Sequence, residues 1–587
     1  MRKIFGGFFL LWLVAAFSAR AYVVNLNSRT NAEHWSFLAP SASVPTNVLN
    51  RTTHALRYYL AADGYSTTNK TAELNAVRAA LGQWAASSNT VIKFEEAAVI
   101  SPPVDVNTAD GTNIFYWTKT STIVNGGTSD ISGALGVTFA SFTSVSNEIL
   151  QADIVFNGKE YQWFTDFFNT NSGTPIFVEG VALHEIGHLL GLDHSPLGSA
   201  TMFFVGGTGI NVQDGLSSDD IAAARCLYAT NLSGFGALKG LVTVGGAPVI
   251  GAMVVASEAV SSNDVMATVT WTNGTYAMNG LPAGNYRLRV LPLDPSAPGN
   301  DSLCTGPDIS ATYNNAFTTF LPTTNQSVTL TANVTNTVNF TVVNSTPAFR
   351  ITYIRAPSTT AGSFLFAPLP AAMTVGQSNY FIGVGSSNLP TSNATFTLTG
   401  DGLALGTPTY NPNLGGLGLN FISLPISIAS NATPGLRTFV VQQGTNSAYA
   451  VGYLKIRPAV LDYNFDGVDD RFQRKYFSVF TATNAGPAAD PDGDGANNFS
   501  ESIAGTIPTN AASLFKFYAV TNSSIAGTTV RWLSVSNKTY QVFSSTNLAL
   551  GAWQSNSAAI TASGTNTSYL DPKGTNGARF YRVQVFP

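Results

Sequence analysis

Hydrophobic residues recur with two different periods along the chain, and the period changes near residue 235. Before that point they return every three to four residues in several segments, which is typical of amphipathic helices. Four apolar positions at this spacing predict a helix after the candidate cap Thr71: Leu74, Val77, Leu81 and Trp84. Further helices are predicted at 174–190, capped by Thr174, and at 217–228, where a capping box begins the helix. The predicted strands between the helices are 114–119, 135–142 and 149–156.

After residue 235 the helical period fades, and short alternating segments separated by Gly, Pro and Asn predict strands. This pattern favours consecutive β-sandwich modules, with predicted boundaries at 236–343, 346–458 and 513–587. Residues 459–512 carry acidic loops between the second and third modules. The predicted fold is therefore multidomain. An α+β domain with a mixed sheet and three helices over 22–232 is followed by all-β sandwiches and a short loop segment.

The composition of the chain narrows the classes of partner. Hydrophobic residues make up 44% of the 587 residues, while charged residues make up only 11%. Lys and Arg number 29 against 33 Asp and Glu, which gives a net charge of −4. The chain lacks the basic field that binds a polyphosphate, so no nucleic-acid partner is expected.

The first 21 residues have the pattern of a secretory signal peptide. Residues 2–3 are basic, 4–17 are apolar, and 19–21 read Ala-Arg-Ala, with small residues around a cleavage position. The apolar run is shorter than the roughly 20 residues of a membrane-spanning helix, and no stable membrane insertion is expected. The mature chain is therefore expected to be secreted. Export permits a disulfide between Cys226 and Cys304, although two separate thiols also fit the sequence.

The segment 184–194 carries the candidate chemistry and reads His-Glu-Ile-Gly-His-Leu-Leu-Gly-Leu-Asp-His. On a helix, His184 and His188 project from one face and can bind one Zn²⁺. Glu185 is placed beside that metal without being a ligand, where it can take a proton from water. Gly191 suits a reversal of the chain, and His194 completes a three-histidine set with a fourth position open. The motif predicts one catalytic zinc, with a metal site that has lost catalysis as the alternative.

This motif and the residues after it resemble the metzincin proteases and, among them, the matrixins, the family of the matrix metalloproteinases. Met202 lies eight residues after His194, which matches the matrixin Met-turn, where a methionine packs below the three histidines. The resemblance covers about residues 34–230 and implies a zinc endopeptidase. It also implies that 152–156 is the strand lining the substrate cleft. Phe204 replaces the family's proline in a segment that walls the specificity pocket, so the shape of that pocket is not carried over.

Three segments of the β-rich part resemble modules of secreted proteins. Residues 238–290, within 236–343, resemble a carboxypeptidase regulatory-like (prealbumin-type) domain. Residues 346–458 resemble an immunoglobulin-like module. Residues 459–512 resemble the calcium repeats of dockerins and thrombospondin type 3 domains. The β-modules are candidate contact surfaces for glycans or proteins of a cell surface or extracellular matrix.

Two acidic loops in 459–512 have the spacing of calcium-binding loops. The second loop places oxygen donors at the required positions: Asp490, Asp492, Asp494, the Ala496 carbonyl, Asn498 and Glu501. The first loop offers a similar set: Asp462, Asn464, Asp466, the Val468 carbonyl and Asp470. Its last position is the neutral Gln473, so weaker binding is expected there. Structural Ca²⁺ is predicted, and an acidic turn without metal is the alternative for each loop.

These features together predict a secreted zinc metalloendopeptidase that acts on an extracellular protein or peptide. The alternative, from a different class, is an extracellular adhesion or matrix-binding protein whose zinc domain is catalytically vestigial. Glu185 favours the enzyme, because a site that only binds metal has no use for a general base that ligates nothing.

Overall fold

The computed structural model describes residues 26–28, 31–168, 175–206, 213–271, 273–292, 319–323, 325–362, 365–574 and 578–586. The chain divides into two compact units, Met1–Ala459 and Val460–Pro587. The predicted signal peptide, Thr174 and Cys304 lie outside the described residues. The described secondary structure is mostly strand, arranged in several sheets with few helices, which confirms this part of the predicted fold class. Within the described residues, no helix is long and apolar enough to span a membrane.

The first unit begins with a mixed α and β region that ends at Tyr228. Its helices are α1 (Lys70–Ala85), α2 (Val178–Leu189) and α3 (Ser218–Tyr228). Its strands are β1 (Leu26–Ser28), β2 (Asn31–Ala32), β3 (Leu56–Ala61), β4 (Phe94–Ile100), β5 (Ile114–Thr118), β6 (Ile123–Val124), β7 (Ser129–Asp130), β8 (Gly136–Phe142), β9 (Ile149–Asn157), β10 (Trp163–Phe164) and β11 (Ile176–Phe177).

Five of these strands form a mixed sheet in the order β4-β3-β5-β9-β8. The pairs β3–β4, β3–β5 and β5–β9 are parallel, and β8 is antiparallel to β9. Strand β9 is buried along most of its length, as expected for an interior strand, and its buried residues include the polar Gln151, Asp153 and Asn157. The main core of this region joins side chains of the sheet and the helices, among them Trp84, Phe115, Ile154 and Leu183.

The apolar face predicted for α1 is confirmed, since Leu74, Val77, Leu81 and Trp84 are all buried. The indole N–H of Trp84 donates to the carbonyl of Leu183 at 2.9 Å, which ties α1 to α2. The helix begins at Lys70, and Asn69 is the cap residue. The predicted cap Thr71 is therefore wrong and lies inside the first turn.

The other two helices differ in how well their starts were predicted. Helix α2 begins at Val178, because the residues just before it form β11, which pairs with β10 in parallel. The start predicted at residue 174 is therefore wrong. Helix α3 begins at Ser218, and its predicted capping box is confirmed. The Ser217 hydroxyl accepts the N–H of Asp220, and the Asp220 carboxylate accepts the N–H of Ser217.

The rest of the first unit is built of strands. They are β12 (Phe235–Val244), β13 (Ala247–Pro248), β14 (Ala252–Glu258), β15 (Asp264–Val269), β16 (Thr275–Pro282), β17 (Gly284–Pro292), β18 (Gln326–Leu330), β19 (Thr335–Thr337), β20 (Phe340–Val342), β21 (Tyr353–Ser358), β22 (Phe366–Ala367), β23 (Ala371–Thr374), β24 (Tyr380–Ser386), β25 (Thr395–Leu398), β26 (Leu403–Leu405), β27 (Thr409–Asn411), β28 (Asn420–Ile428), β29 (Gly435–Gln443) and β30 (Asn446–Arg457).

These strands form three larger sheets among the described residues. Strand β12 pairs with β13, β16, β19 and β20 in the first. The second has the order β18-β17-β14-β15-β29-β30-β23, with β25 on β29, and the third the order β22-β21-β24-β28-β26, with β27 on β28. The second sheet joins strands from both predicted modules of this unit through one pair, Asp264 with Leu436.

The second unit contains two short helices and a set of strands. The helices are α4 (Asp470–Tyr476) and α5 (Asn498–Ala504). The strands are β31 (Phe517–Ser523), β32 (Gly527–Leu533), β33 (Thr539–Ser545), β34 (Gln554–Ser555), β35 (Ile560–Thr561), β36 (Asn566–Asp571) and β37 (Phe580–Phe586). Strands β31-β32-β36 form one sheet, and β34-β33-β35 with β37 on β33 form another. Trp532 and Tyr540 lie in the small core of this unit.

Candidate metal centre

Helix α2 and the loop after it bring three buried imidazoles together. The Nε2 atom of His188 lies 3.1 Å from Nε2 of His184 and 3.1 Å from Nε2 of His194, and the remaining pair is 3.2 Å apart. Two imidazole nitrogens on a tetrahedral Zn²⁺, at Zn–N of about 2.0–2.1 Å, lie about 3.3 Å apart. The three donors therefore fit one zinc ion with a fourth position left for water or substrate.

The Nδ1 atoms of two of these rings form hydrogen bonds with main-chain carbonyls. Nδ1 of His184 lies 2.8 Å from the carbonyl of Thr201, and Nδ1 of His188 lies 2.8 Å from the carbonyl of Leu192. A carbonyl can only accept, so each Nδ1 carries the proton and each Nε2 keeps its lone pair. This is the tautomer that a zinc ligand requires.

Gly191 turns the chain from helix α2 toward His194. Its φ is +84°, a conformation that favours glycine, and its N–H donates to the carbonyl of His188 at 2.9 Å. A Cβ at this position would lie 2.3 Å from the carbonyl oxygen of Glu33. Both the backbone conformation and the close approach of a second chain segment therefore require glycine here.

Glu185 is buried beside the histidines and lies against strand β8. The Oγ1 of Thr138 is 2.8 Å from Oε2 of Glu185 and 2.9 Å from its backbone carbonyl oxygen. A Cβ on Gly136 would lie 2.9 Å from Cγ of Glu185. Sequence reasoning missed both of these β8 residues, because a Gly and a Thr in a strand carry no distinctive signal until the strand is placed against the helix.

Met202 lies below the helix that carries the first two histidines. A Cβ on Gly187 would lie 2.1 Å from the Met202 sulfur, so the absence of a side chain at 187 leaves room for the methionine. The Asp220 carboxylate accepts the N–H of Thr201 at 2.9 Å and the N–H of Met202 at 3.0 Å. Asp220, in the first turn of α3, therefore holds the backbone at Thr201 and Met202 in place. The sequence did not suggest this role for Asp220.

A second carboxylate of α3 contacts the loop after His194. Oδ2 of Asp219 accepts the Ser195 hydroxyl at 2.7 Å, and Oδ1 accepts the N–H of Ala267 on strand β15 at 3.0 Å. Burial and, as a smaller cause, the charge of Asp220 raise the pKa of Asp219 to about 7. Asp219 thus joins the loop after the third histidine to the β-rich part of the same unit.

Strand β8 is the edge strand beside the histidines. Residues 152–156 belong to β9, which lies between β5 and β8 in the sheet. The prediction that 152–156 lines the substrate cleft is therefore wrong. Strand β9 is buried along almost its whole length, as an interior strand is, whereas β8 is only partly buried.

In the second unit, carboxylate oxygens of Asp490, Asp492 and Asp494 lie within 4.8 Å of one another. Asn498 and Glu501 are buried in helix α5. Asn498 Oδ1 and Glu501 Oε2 have no hydrogen-bond partner among the described residues. Burial, together with the smaller effect of the charges of the three aspartates, raises the pKa of Glu501 to about 7.

The backbone of this second loop is closed by its own carboxylates. Asp490 accepts the N–H groups of Gly493 at 2.9 Å and Gly495 at 3.0 Å. Asp494 accepts the N–H of Ala496 at 2.8 Å. The loop therefore has the compact turn that directs several oxygens toward one point.

The first loop uses more of its oxygens within the protein. Oδ2 of Asp466 accepts hydrogen bonds from the side-chain amides of Gln473 at 2.7 Å and Asn464 at 3.0 Å. Asp470 Oδ2 accepts the N–H of Tyr463 at 2.7 Å. Asp462 and Val468 also take part in the turn of this loop. Asp462 accepts N–H groups of the loop, and the Val468 N–H donates to Asp466.

A family profile matches the region that holds the three histidines. Residues 50–229 match the profile of the matrixin family, peptidase family M10. The chain is 36% identical over 102 residues to metalloendoproteinase 4-MMP of Arabidopsis thaliana, covering 17% of this chain and 27% of that protein. It is 45% identical over 64 residues to metalloendoproteinase 5-MMP of the same plant, covering 11% and 17%. The chain thus spans about a quarter or less of the length of these relatives.

One comparison with solved structures concerns BcpA, the major pilin subunit of Bacillus cereus. It is 12% identical, with a TM-score of 0.14, over 38% of this chain and 69% of that chain. A likeness at this score carries no argument about fold or function. Residues 50–229 are therefore similar to the matrixin metalloproteases, and the histidine cluster within them fits zinc.

Proposed function

We propose that this chain is a secreted zinc-dependent metalloendopeptidase that hydrolyses peptide bonds of extracellular proteins. The observation that supports it most is the set of three Nε2 atoms 3.1–3.2 Å apart, with a buried carboxylate next to them on the same helix. When bound, Zn²⁺ supplies Lewis acidity, which lowers the pKa of a water molecule and polarises a peptide carbonyl. The proposal assigns the ligands His184, His188 and His194, the general base Glu185, and the structural residues Gly191 and Met202.

Glu185 performs the proton transfers in this proposal. Its carboxylate takes a proton from the attacking water and returns one to the leaving amine, so that both steps use one group. The Thr138 hydroxyl, 2.8 Å from Oε2, holds the carboxylate in one orientation. A carboxylate that is already oriented does not have to be ordered in the transition state.

Strand β8 offers the substrate a place to bind. It is the last strand of its sheet among the described residues, so an extended peptide can pair with its outer edge. Such a peptide would pass beside Glu185, because Gly136 and Thr138 of β8 both lie against that side chain. The substrate class that fits is therefore a protein segment in extended conformation.

The proposal that the protein is secreted rests on the signal-peptide pattern of residues 1–21. The β-rich modules are proposed as contact surfaces for proteins or glycans outside the cell. Both proposals agree with an enzyme whose substrate is an extracellular protein.

We propose in addition that the second acidic loop binds Ca²⁺ as a structural ion. Hard oxygen donors at this spacing are what Ca²⁺ takes, and buried Asn498 Oδ1 and Glu501 Oε2 lack other partners among the described residues. Burying such oxygens without a partner costs free energy, which a bound cation would offset. The first loop is proposed to bind more weakly, because its Asp466 is already engaged by two amides.

The test of the peptidase is Glu185→Gln in the full chain, with Glu95→Gln as control. Gln keeps the size of the side chain but cannot accept the proton, so kcat on an unfolded protein substrate should fall by about 10²- to 10⁴-fold. Zinc content, measured by mass spectrometry of the metal, should stay at one per chain. Undiminished activity in the variant would reject Glu185 as the base and with it this mechanism. A parent without activity would reject the enzyme and leave the adhesion protein as the explanation.

A further inference from the structure

The stretch between His194 and helix α3 packs against the β-rich part of the first unit. Leu197, Ala200 and Phe203 are at most 1% exposed and share one hydrophobic core with Val255 and Tyr453. These three residues immediately follow the zinc-ligand motif in sequence, while the two residues they meet lie in strands β14 and β30. The β-rich part is therefore in direct contact with the segment that supports the metal centre.

Strand β30 contacts this stretch through its backbone and through the ring of Tyr453. The carbonyl of Val451 accepts the N–H of Gly198 at 2.9 Å. The Tyr453 ring meets the Phe203 ring edge to face, with centroids 5.5 Å apart. A Cβ on Gly198 would lie 2.3 Å from the Tyr453 ring, so the ring fills the space that this glycine leaves open.

The same strand anchors the chain again just before helix α3. Lys455 Nζ lies 2.9 Å from Oδ1 of Asp214, and an Arg457 guanidinium nitrogen lies 2.8 Å from Oδ2. Lys455 also donates to the carbonyl of Gly215 at 3.3 Å. Because side chains alternate along a strand, positions 453, 455 and 457 share one face of β30. One face of this strand thus contacts both ends of the stretch that runs from Gly198 to Gly215.

Two phenylalanines lie between strand β30 and the metal centre. The Phe204 ring centroid lies 6.2 Å from the ring of His194 and 4.6 Å from the ring of Phe203. Phe203 is fully buried. Phe204 is only partly buried and forms an apolar surface beside His194, the third histidine. The position of Phe204 therefore depends on Phe203, which in turn rests on Tyr453.

We propose that β30 is a positioning element for substrate selection, in which Tyr453 sets, through Phe203, where Phe204 stands beside His194. This inference rests on the proposed peptidase function and adds that the wall next to the histidines is completed by the β-rich part of the chain. Since the wall is apolar, the substrate side chain that it selects is apolar. Tyr453 is a positioning residue in this scheme and does not touch the reacting atoms.

The test uses full-length Gly198→Ala, Tyr453→Ala and the double variant, each profiled on a peptide library. Each single change should alter the relative kcat/KM of peptides that differ in one apolar side chain by about tenfold. In the double variant the methyl group introduced at position 198 occupies part of the space left by the ring, so the parent's preference should return toward its original value. Tyr453→Phe should keep the parent's preference, because it keeps the ring.

Tyr380→Ala, which truncates a half-buried tyrosine of strand β24, is the matched control and should leave the preference unchanged. If Tyr453→Ala does not fold, Tyr453→Leu makes the same comparison, since it removes the ring and keeps an apolar group. Bound zinc should remain at one per chain in every folded variant.

Hydrogen exchange of the backbone amides at 197–206 provides a readout that does not need activity. These amides should exchange faster in Gly198→Ala and Tyr453→Ala than in the parent, and more slowly again in the double variant. Unchanged exchange together with an unchanged peptide profile in both single variants would overturn the inference. A parent protein that cleaves no peptide would instead refute the proposed function, and the exchange data alone would then decide whether β30 holds this segment.

Discussion

Met202 and Phe203 are neighbours in the chain, yet their side chains are buried in two different hydrophobic cores. Met202 packs under helix α2, with its sulfur 2.1 Å from the point where a Cβ of Gly187 would lie. Phe203 packs against Tyr453 of strand β30. The turn below the three histidines is therefore held from both sides. Removal of the β-rich part would expose Phe203 to water, so the matrixin-like segment and the strands after it are expected to depend on each other.

Thr138→Val should lower activity without removing the metal. Valine has the shape of threonine but cannot donate to Oε2 of Glu185, so the carboxylate loses the group that orients it. We expect kcat to fall by about tenfold, with KM and zinc content near those of the parent. Thr138→Ser keeps the hydroxyl and should stay close to the parent. If Val and Ser variants have equal kcat, the hydroxyl has no role in catalysis.

The parts of the site that depend on local spacing could be predicted from the sequence. His184 and His188 face the same way because four residues make about one helical turn, and the capping box of α3 is also a local pattern. The predicted start of α2 was wrong because parallel pairing of β11 with β10, a tertiary contact, sets where α2 begins.

The remaining parts depend on strands that are distant in sequence. The edge position of β8 follows from the order of five strands, which the alternation within a single strand does not specify. Thr138 becomes a partner of Glu185 only through that order. The contact of Tyr453 with Phe203 joins residues 250 positions apart, and nothing in either local sequence indicates it.

Stability of the first unit should depend on pH through Asp153. This carboxyl is fully buried, and burial raises its pKa to about 7 although the N–H groups of Ile114 and Asn107 donate to it. In the unfolded chain its pKa is about 3.9. Between about pH 4 and pH 7 the folded state therefore holds a proton that the unfolded state has lost, so stability falls as pH rises through this window.

The measurement is the unfolding temperature at pH 5 and pH 8 for the parent and for Asp153→Asn. The variant has no titrating group at this position, so its unfolding temperature should fall less between the two values. Asp63→Asn, at a half-exposed carboxylate paired with Lys119, is the control and should follow the parent. An equal fall in all three proteins would show that Asp153 does not titrate in this range.

Calcium should stabilise the second unit through the loop that contains Asp490. A ligand that binds only the folded state raises the unfolding free energy by about 2.7 kcal/mol at a concentration of 100 times its Kd. Differential scanning calorimetry of the calcium-free full chain, titrated with CaCl₂ at constant zinc, should therefore show one transition that moves to higher temperature. Glu501→Gln removes a buried carboxylate ligand and should abolish most of this shift, while Glu258→Gln should keep it. A shift of the same size in Glu501→Gln would exclude this loop as the site.

Substitutions of Asp214 and Lys455 should have strongly non-additive effects on the free energy of unfolding, because the ion pair between the two residues is buried. Their side chains are 2% and 9% exposed, so Lys455→Met removes one cation from a buried carboxylate that keeps its ion pair with Arg457. Breaking a buried pair costs about 3–5 kcal/mol, and Arg457 should keep the loss near the lower end. The double variant Asp214→Asn with Lys455→Met should lose less than the sum of the single changes, by about 1–3 kcal/mol. Thermal unfolding of the four proteins gives this coupling.

The exposed pair Arg57 and Glu95, with side chains about 30% exposed, is the matched comparison and should couple by less than about 1 kcal/mol. If the buried pair couples no more strongly than this surface pair, the anchor before helix α3 does not stabilise the contact between β30 and the metal centre.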